Sequence, residues 1–312
     1  MRKIYFLIMA TILIFTSACG FHSDKLVEEL IPEYTNNKSH FITLDGMNVH
    51  YRDEGEGPVV LLLHGSNASL HTWEGWADIL SSDYRVISLD LPGHGLTGPH
   101  PKNQYTWPDA AQFIDNFVNA IGIQNFTIVG NSMGGAIAWH YALKQPERVN
   151  ALVLIDSRGI PSEEPKPPIL RAYSTPVIND LLTVFTPKWA VDANIADVYG
   201  DASKVSDELI ERYFNLTLRE GNRDATVYRM THPSSYALTP RLSDLKMPTL
   251  IMWGEKDTWI LPKYAYRFKE LVSHAKLITY PGLGHTPMEE APQKTVKDLK
   301  KFIESSLVLH PT

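Results

Sequence analysis

The fold is decided by Phe126-Thr127-Ile128-Val129-Gly130-Asn131-Ser132-Met133-Gly134-Gly135. A short apolar run ends in glycine, a serine follows two residues on, and an amphipathic segment starts at once. This is G-x-S-x-G in the setting that gives the pattern meaning, a strand, a sharp turn and a helix, where the turn lifts the serine out of the sheet. The flanking glycines have a steric reason, because side chains there would strike the neighbouring backbone.

Working outward from that turn, short and nearly continuous apolar runs alternate with longer amphipathic segments, the pattern of a buried parallel sheet with crossover helices. The runs at 59–63, 85–89, 126–130, 152–155, 249–253 and 276–280 read as strands, and 73–80, 108–121, 133–144, 263–272 and 293–305 as helices. Ahead of them, 41–44 and 47–52 flank Asp45-Gly46, a pair suited to a tight hairpin turn. The expectation is an α/β chain with a mostly parallel sheet and helices on both faces.

Between 157 and 243 the alternation stops. The entry to this stretch is rich in proline (Pro161, Pro165, Pro167 and Pro168), and helical stretches such as 205–219 follow. A structureless connection of that length would be unusual in a compact domain, so an inserted helical cap is expected over 157–243. The core then comprises 41–156 and 244–312.

The amino terminus has its own character. Arg2 and Lys3 precede an apolar segment, 4–15, and then Thr16, Ser17 and Ala18 stand before Cys19. A basic end, a short apolar segment and small residues form the layout of an export signal, expected here over 1–18. The apolar segment is shorter than the roughly 20 residues that a bilayer span needs. Cysteine directly after Ser-Ala resembles the lipobox of bacterial lipoproteins, which implies lipidation of Cys19 and a membrane-anchored protein. A plain secretory peptide cut after Ala18, leading to a periplasmic or secreted protein, is the other reading. Residues 19–40 are polar and read as a tether or a loosely docked segment.

Composition narrows the function classes. Of 312 residues, 44% are hydrophobic, 21% charged and 10% aromatic, an ordinary globular mixture that excludes disorder as the main state. The net charge of -6, with no cluster of Lys and Arg, argues against nucleic-acid partners. A single cysteine excludes an intramolecular disulfide and cysteine-rich zinc sites.

A serine hydroxyl becomes a useful nucleophile only when a base within hydrogen-bond reach takes its proton. His285, in Gly282-Leu283-Gly284-His285, follows the last expected strand and so lies at the same sheet edge as Ser132. His94 and His64 sit in turns after earlier strands and read as structural. The base needs a carboxylate to fix its tautomer. Asp257 lies just past a strand end, and Ser132, Asp257 and His285 occur in the chain order that this constellation uses. Asp156 ends a strand on the same edge and is the rival, while Glu255 would point differently along its turn. Donors for a developing oxyanion are expected from the amides of Met133 and Ser66, with Asn67 as the fallback for the second. Neither H-E-x-x-H nor G-x-x-x-x-G-K occurs, so no metal or organic cofactor is expected.

Taken together, His64-Gly65, Asp90-Leu91-Pro92-Gly93-His94-Gly95, Gly130-Asn131-Ser132-Met133-Gly134-Gly135, Asp257 and Gly282-Leu283-Gly284-His285 resemble the α/β-hydrolase superfamily over roughly 41–306. Within it the chain is similar to cap-bearing esterases, lipases and carbon-carbon bond hydrolases. It departs from haloalkane dehalogenases and epoxide hydrolases, which carry aspartate where Ser132 stands. The resemblance implies an esterase or lipase working through an acyl-enzyme on a small-molecule ester. Hydrolysis of a carbon-carbon bond in a meta-cleavage product is the alternative, and a non-catalytic binding protein on the same fold is a reading of another class. The cap should shape the substrate site, with Trp189, Tyr199, Tyr213, Met230 and Trp259 as candidate wall residues.

Overall fold

The computed structural model describes residues 20–165, 168–173 and 175–309. The expected leader, 1–18, and Cys19 lie outside the described residues. Eight strands form one sheet: β1 (Ser39–Leu44), β2 (Met47–Glu54), β3 (Val59–Leu63), β4 (Arg85–Leu89), β5 (Phe126–Asn131), β6 (Val149–Ile155), β7 (Thr249–Gly254) and β8 (Lys276–Tyr280). Their spatial order is β1-β2-β4-β3-β5-β6-β7-β8. The β1–β2 hairpin adds antiparallel to β4, and every other pairing is parallel. This is the mostly parallel sheet of an α/β chain, as the sequence pattern implied.

Pleating explains why the central strands read as unbroken apolar runs. Leu61 and Leu63 of β3 join the core on one face, and Val60 and Leu62 join the core on the other. Helices α3 (Trp107–Ala120), α4 (Met133–Lys144) and α10 (Lys263–Leu271) cover the first face; α2 (Glu74–Leu80) and α12 (Pro292–Leu309) cover the second. Helix α3 begins with a capping box: the Thr106 hydroxyl accepts from the Asp109 amide while the Asp109 carboxylate accepts from the Thr106 amide.

The cap between β6 and β7 holds α5 (Pro168–Tyr173), α6 (Ile178–Leu182), α7 (Lys188–Val198), α8 (Asp207–Thr217) and α9 (Asn222–Thr231). Two neighbouring side chains of the cap, Arg212 and Tyr213, reach carboxylates of the core, one of which Arg52 also holds. Arg212 of α8 donates to Glu74 at 3.2 Å and to Glu289 at 2.7 Å, the Tyr213 hydroxyl donates to Glu289 at 2.9 Å, and Arg52 of β2 donates to Glu74 at 2.7 Å.

Residues 20–40 are a docked segment and not a free tether. They contain a helix, α1 (Val27–Tyr34), and the start of β1. Leu30 and Tyr34 are buried with Leu96 and Leu216, and the Asn215 amide donates to the Tyr34 hydroxyl at 2.8 Å. The charged residues of α1 face outward, so its composition looks like a linker while two side chains dock it. Among the described residues no helix is long and apolar enough to cross a membrane.

Candidate active site

The carboxyl ends of β3 and β5 are level, because Leu63 pairs with Gly130. The loop His64-Gly65-Ser66-Asn67 therefore lies beside the turn at Ser132. Ser132 has φ 54° and ψ -113°, a left-handed conformation that costs a non-glycine residue on the order of 1–3 kcal/mol and persists only where its surroundings enforce it. Here they do: the Ser132 amide donates to Ile155 O at 2.9 Å, and the Arg158 amide donates to Ser132 O at 2.9 Å. A Cβ on Gly130 would lie 2.2 Å from Gly134 O, and one on Gly134 would lie 2.2 Å from Leu63 O. No larger residue fits at either place.

Serine ahead of a helix usually caps it with its side chain. Ser132 does not cap α4, so its hydroxyl is not spent on the helix. The Met133 amide, at the first helical position, and the Ser66 amide have no acceptor among the described residues. Their side chains touch, the Ser66 hydroxyl donating to Met133 Sδ at 3.4 Å, so the two residues are neighbours across the turn. Asn67, the fallback, has φ 57° and its side-chain oxygen meets the Thr226 hydroxyl at 3.4 Å.

His285 Nδ1 lies 2.7 Å from Asp257 Oδ2, and both residues are buried. Asp257 Oδ1 accepts from the amides of Trp259 at 2.8 Å and Ile260 at 3.0 Å. That leaves the other ring nitrogen of His285 for chemistry. The His285 amide donates to Val198 O at 2.7 Å, which fastens its loop to the end of α7. No hydrogen bond joins Ser132 Oγ to His285 in this state. Such contacts are commonly long before substrate arrives, and the two residues belong to loops already joined by Asn131, whose amide donates to His285 O at 3.0 Å.

Asn131 escaped the sequence reading although it stands next to the serine. Glu290 did too: its buried carboxylate accepts from the amides of Gly200, Asp201 and Gly284 at 2.9, 3.0 and 2.8 Å, clamping the cap to the histidine loop. Its only sequence signal is an acid in the first turn after the histidine loop, in α11 (Pro287–Glu290).

The other polar residues separate as expected. His64 is completely buried, its Nδ1 is 2.7 Å from Gly65 O, and its Nε2 accepts from the Leu91 amide at 3.0 Å. Burial lowers its pKa to about 4, so it is a neutral brace at neutral pH. His94 is likewise pushed well below its ordinary value, by burial and then by the Arg229 charge. Asp156 lies next to Asp257 but makes no ion pair with His285.

Of the expected wall residues, Trp259 lies nearest the site, its ring 6.5 Å from that of His285, with its indole N–H on Asp197 at 3.0 Å. Tyr199 is buried between Val198 and Gly200, both bound to the histidine side of the core. Met230 is half-buried on α9. Tyr213 gives its hydroxyl to Glu289 and so joins the cap–core tie. Trp189 is a correction: at the start of α7, whose one buried side chain is Ile195, it is 72% exposed and faces solvent.

The family model for the alpha/beta hydrolase fold matches residues 58–292. A 2-hydroxy-6-oxo-6-(2'-aminophenyl)hexa-2,4-dienoic acid hydrolase of Metapseudomonas resinovorans is 29% identical over 271 residues, covering 84% of this chain and 90% of that protein. The solved meta-cleavage product hydrolase of Pseudomonas fluorescens superposes with a TM-score of 0.76 at 25% identity, covering 87% of this chain and 100% of that one. An esterase from Thermogutta terrifontis shares the fold, with a TM-score of 0.74 at 23% identity over 86% of this chain and 98% of that one. The named curated relatives thus fit carbon-carbon bond hydrolysis better than ester hydrolysis.

Proposed function

The chain belongs to the α/β-hydrolase family, and on that premise we propose that it is a serine hydrolase in which Ser132 attacks a carbonyl carbon, His285 carries the proton and Asp257 holds His285. The observation that carries this reading is the 2.7 Å contact of His285 with Asp257 at the sheet edge where Ser132 stands in its strained turn.

With an ester, Ser132 Oγ bonds to the carbonyl carbon while its proton passes to His285. The amides of Met133 and Ser66 receive the oxyanion. The carbon-oxygen bond then breaks, and the same proton leaves with the alcohol. Water repeats the sequence against the acyl-serine and frees the acid.

Two substrate classes are open to this machinery. Cleavage of a carbon-carbon bond beside a ketone, in a dienoate acid, is favoured by the names of the curated relatives. One feature of the chain supports it. Arg229 of α9 is buried with no carboxylate partner among the described residues, its Nε is unpaired, and it shares a small cavity with Met133. A carboxylate on the substrate is the partner such a cation lacks. Carboxylic esters are the other class, supported by the cap-bearing fold. Assays of the purified protein on 2-hydroxy-6-oxo-6-phenylhexa-2,4-dienoate and on nitrophenyl esters of rising acyl length should separate them. The dienoate reading predicts the higher kcat/KM on the dienoate, and a loss specific to that substrate in Arg229→Met. Turnover of neither class would end the proposal.

We further propose export and lipid anchoring at Cys19, on the strength of the leader sequence alone. Cys19→Ser should move the protein from the membrane fraction to the soluble one. Unchanged membrane retention would sink the anchor.

A further inference from the structure

Ile155 ends β6 between β5 and β7, so the next residue, Asp156, enters the site midway between the loops of Ser132 and Asp257. Its side chain is completely buried, and its backbone has φ 43°, a second strained turn beside that of Ser132. Oxygens of Asp156 and Asp257 and a ring nitrogen of His285 all lie within 4.8 Å of one another. The two carboxyls are unequally supplied. Asp257 accepts two amides and faces His285, whereas Asp156 Oδ1 accepts one amide, from Gly254 at 2.9 Å, and Asp156 Oδ2 has no donor. Neither carboxyl meets a Lys or Arg among the described residues. Two carboxylates that close together in a dry site do not both ionise.

We propose that Asp156 is a positioning residue, a neutral carboxylic acid that donates its own proton to the Asp257 carboxylate and so holds Asp257 against His285. The pair carries one negative charge and one shared proton. The orphaned Oδ2 is thereby explained, because on a neutral acid it is a donor and Asp257 is its acceptor. Burial, then the Asp257 charge, push Asp156 well above the ordinary carboxylate range, with Glu290 adding to the effect and the Gly254 amide opposing it. Asp257, His285, Glu290 and the Tyr280 hydroxyl are the titratable groups around it. The inference rests on the serine-hydrolase reading for its role and stands apart from it for its protonation state.

The test uses four variants and two readouts. Asp156→Asn is neutral and keeps an N–H donor, so kcat and its pH profile should stay near wild type on the best nitrophenyl ester or dienoate. Asp156→Leu lacks the donor, and kcat should fall about 10²-fold with KM kept, as when a reacting group is misplaced. Asp257→Asn should fall about 10⁴-fold, and adding Asp156→Asn to it should lower the rate further, because the relieved Asp156 carboxyl is then the remaining anion. Infrared spectra at neutral pH should contain the carbonyl band of a protonated carboxylic acid that disappears in Asp156→Asn. That readout needs no activity and is unaffected by whether Asp156→Leu folds. Absence of the band, or Asp156→Asn as damaging as Asp257→Asn, would overturn the proposal. Full activity in Asp257→Asn, with the band still present, would instead remove the serine-hydrolase reading and leave the shared proton standing.

Discussion

Ser132→Ala should lose about 10⁴ to 10⁶ in kcat on whichever substrate the assays select, while folding as the parent does. The size follows from the chemistry, since without the hydroxyl there is no acyl-enzyme, and only the oxyanion donors and binding remain. The intact fold follows from the structure. The hydroxyl neither caps α4 nor makes a hydrogen bond among the described residues, and alanine leaves the Ser132 backbone bonds to Ile155 and Arg158 in place. A melting temperature near that of the parent, together with a collapsed rate, is the expected pair of results. Equal rates for the two proteins would remove the mechanism.

The elbow was legible because its cause is local. Glycine, serine and glycine at fixed spacing between a strand and a helix impose the turn wherever they occur. Strands β3, β4 and β8 were legible for a related reason: five-residue stretches with three or more apolar residues, set between helical or turn segments, admit few other readings, and their expected and observed limits coincide. Features that depend on partners distant in the chain were not. Helix α1 looks like a linker until Tyr34 meets Asn215, and Glu290 is an unremarked acid until Gly200 and Gly284 turn their amides to it. Trp189 is a candidate wall residue by its place in the cap, but whether an aromatic at a helix start faces the site depends on how that helix docks. Asp156 and Asp257 both end strands at one edge, and sequence position alone does not divide their roles. Their hydrogen bonds do: Asp257 has the histidine and two amides, Asp156 a single amide.

The second large effect concerns stability. Asp90 follows β4 as a fully buried carboxylate that accepts from the amides of Leu70 at 2.8 Å and Leu96 at 2.9 Å, with His50 Nδ1 at 2.8 Å. It thereby ties β2 and the start of the 70–73 turn to the loop that carries His94, and that loop packs beside Met133. Burial alone would raise its pKa; the hydrogen bond and charge of His50, with His71 and His64 adding to them, together outweigh burial and hold it well below the ordinary value. Because the folded pKa is depressed, its contribution is present above the unfolded value of about 3.9 and is lost as pH falls through the folded pKa. Asp90→Ala strands two buried amides and an imidazole, and should cost about 3 to 5 kcal/mol at neutral pH, since each buried polar group left unsatisfied costs roughly 1–3 kcal/mol. Asp90→Asn should also be costly, since its NH₂ group would face one of the stranded donors. Urea unfolding at several pH values measures both. The gap between parent and Asp90→Ala should be constant from pH 8 to 6 and close progressively in acid, because the parent alone has this carboxylate to protonate. A gap that stays the same down to the acid limit of folding would mean that Asp90 acts by filling space, with its charge contributing nothing.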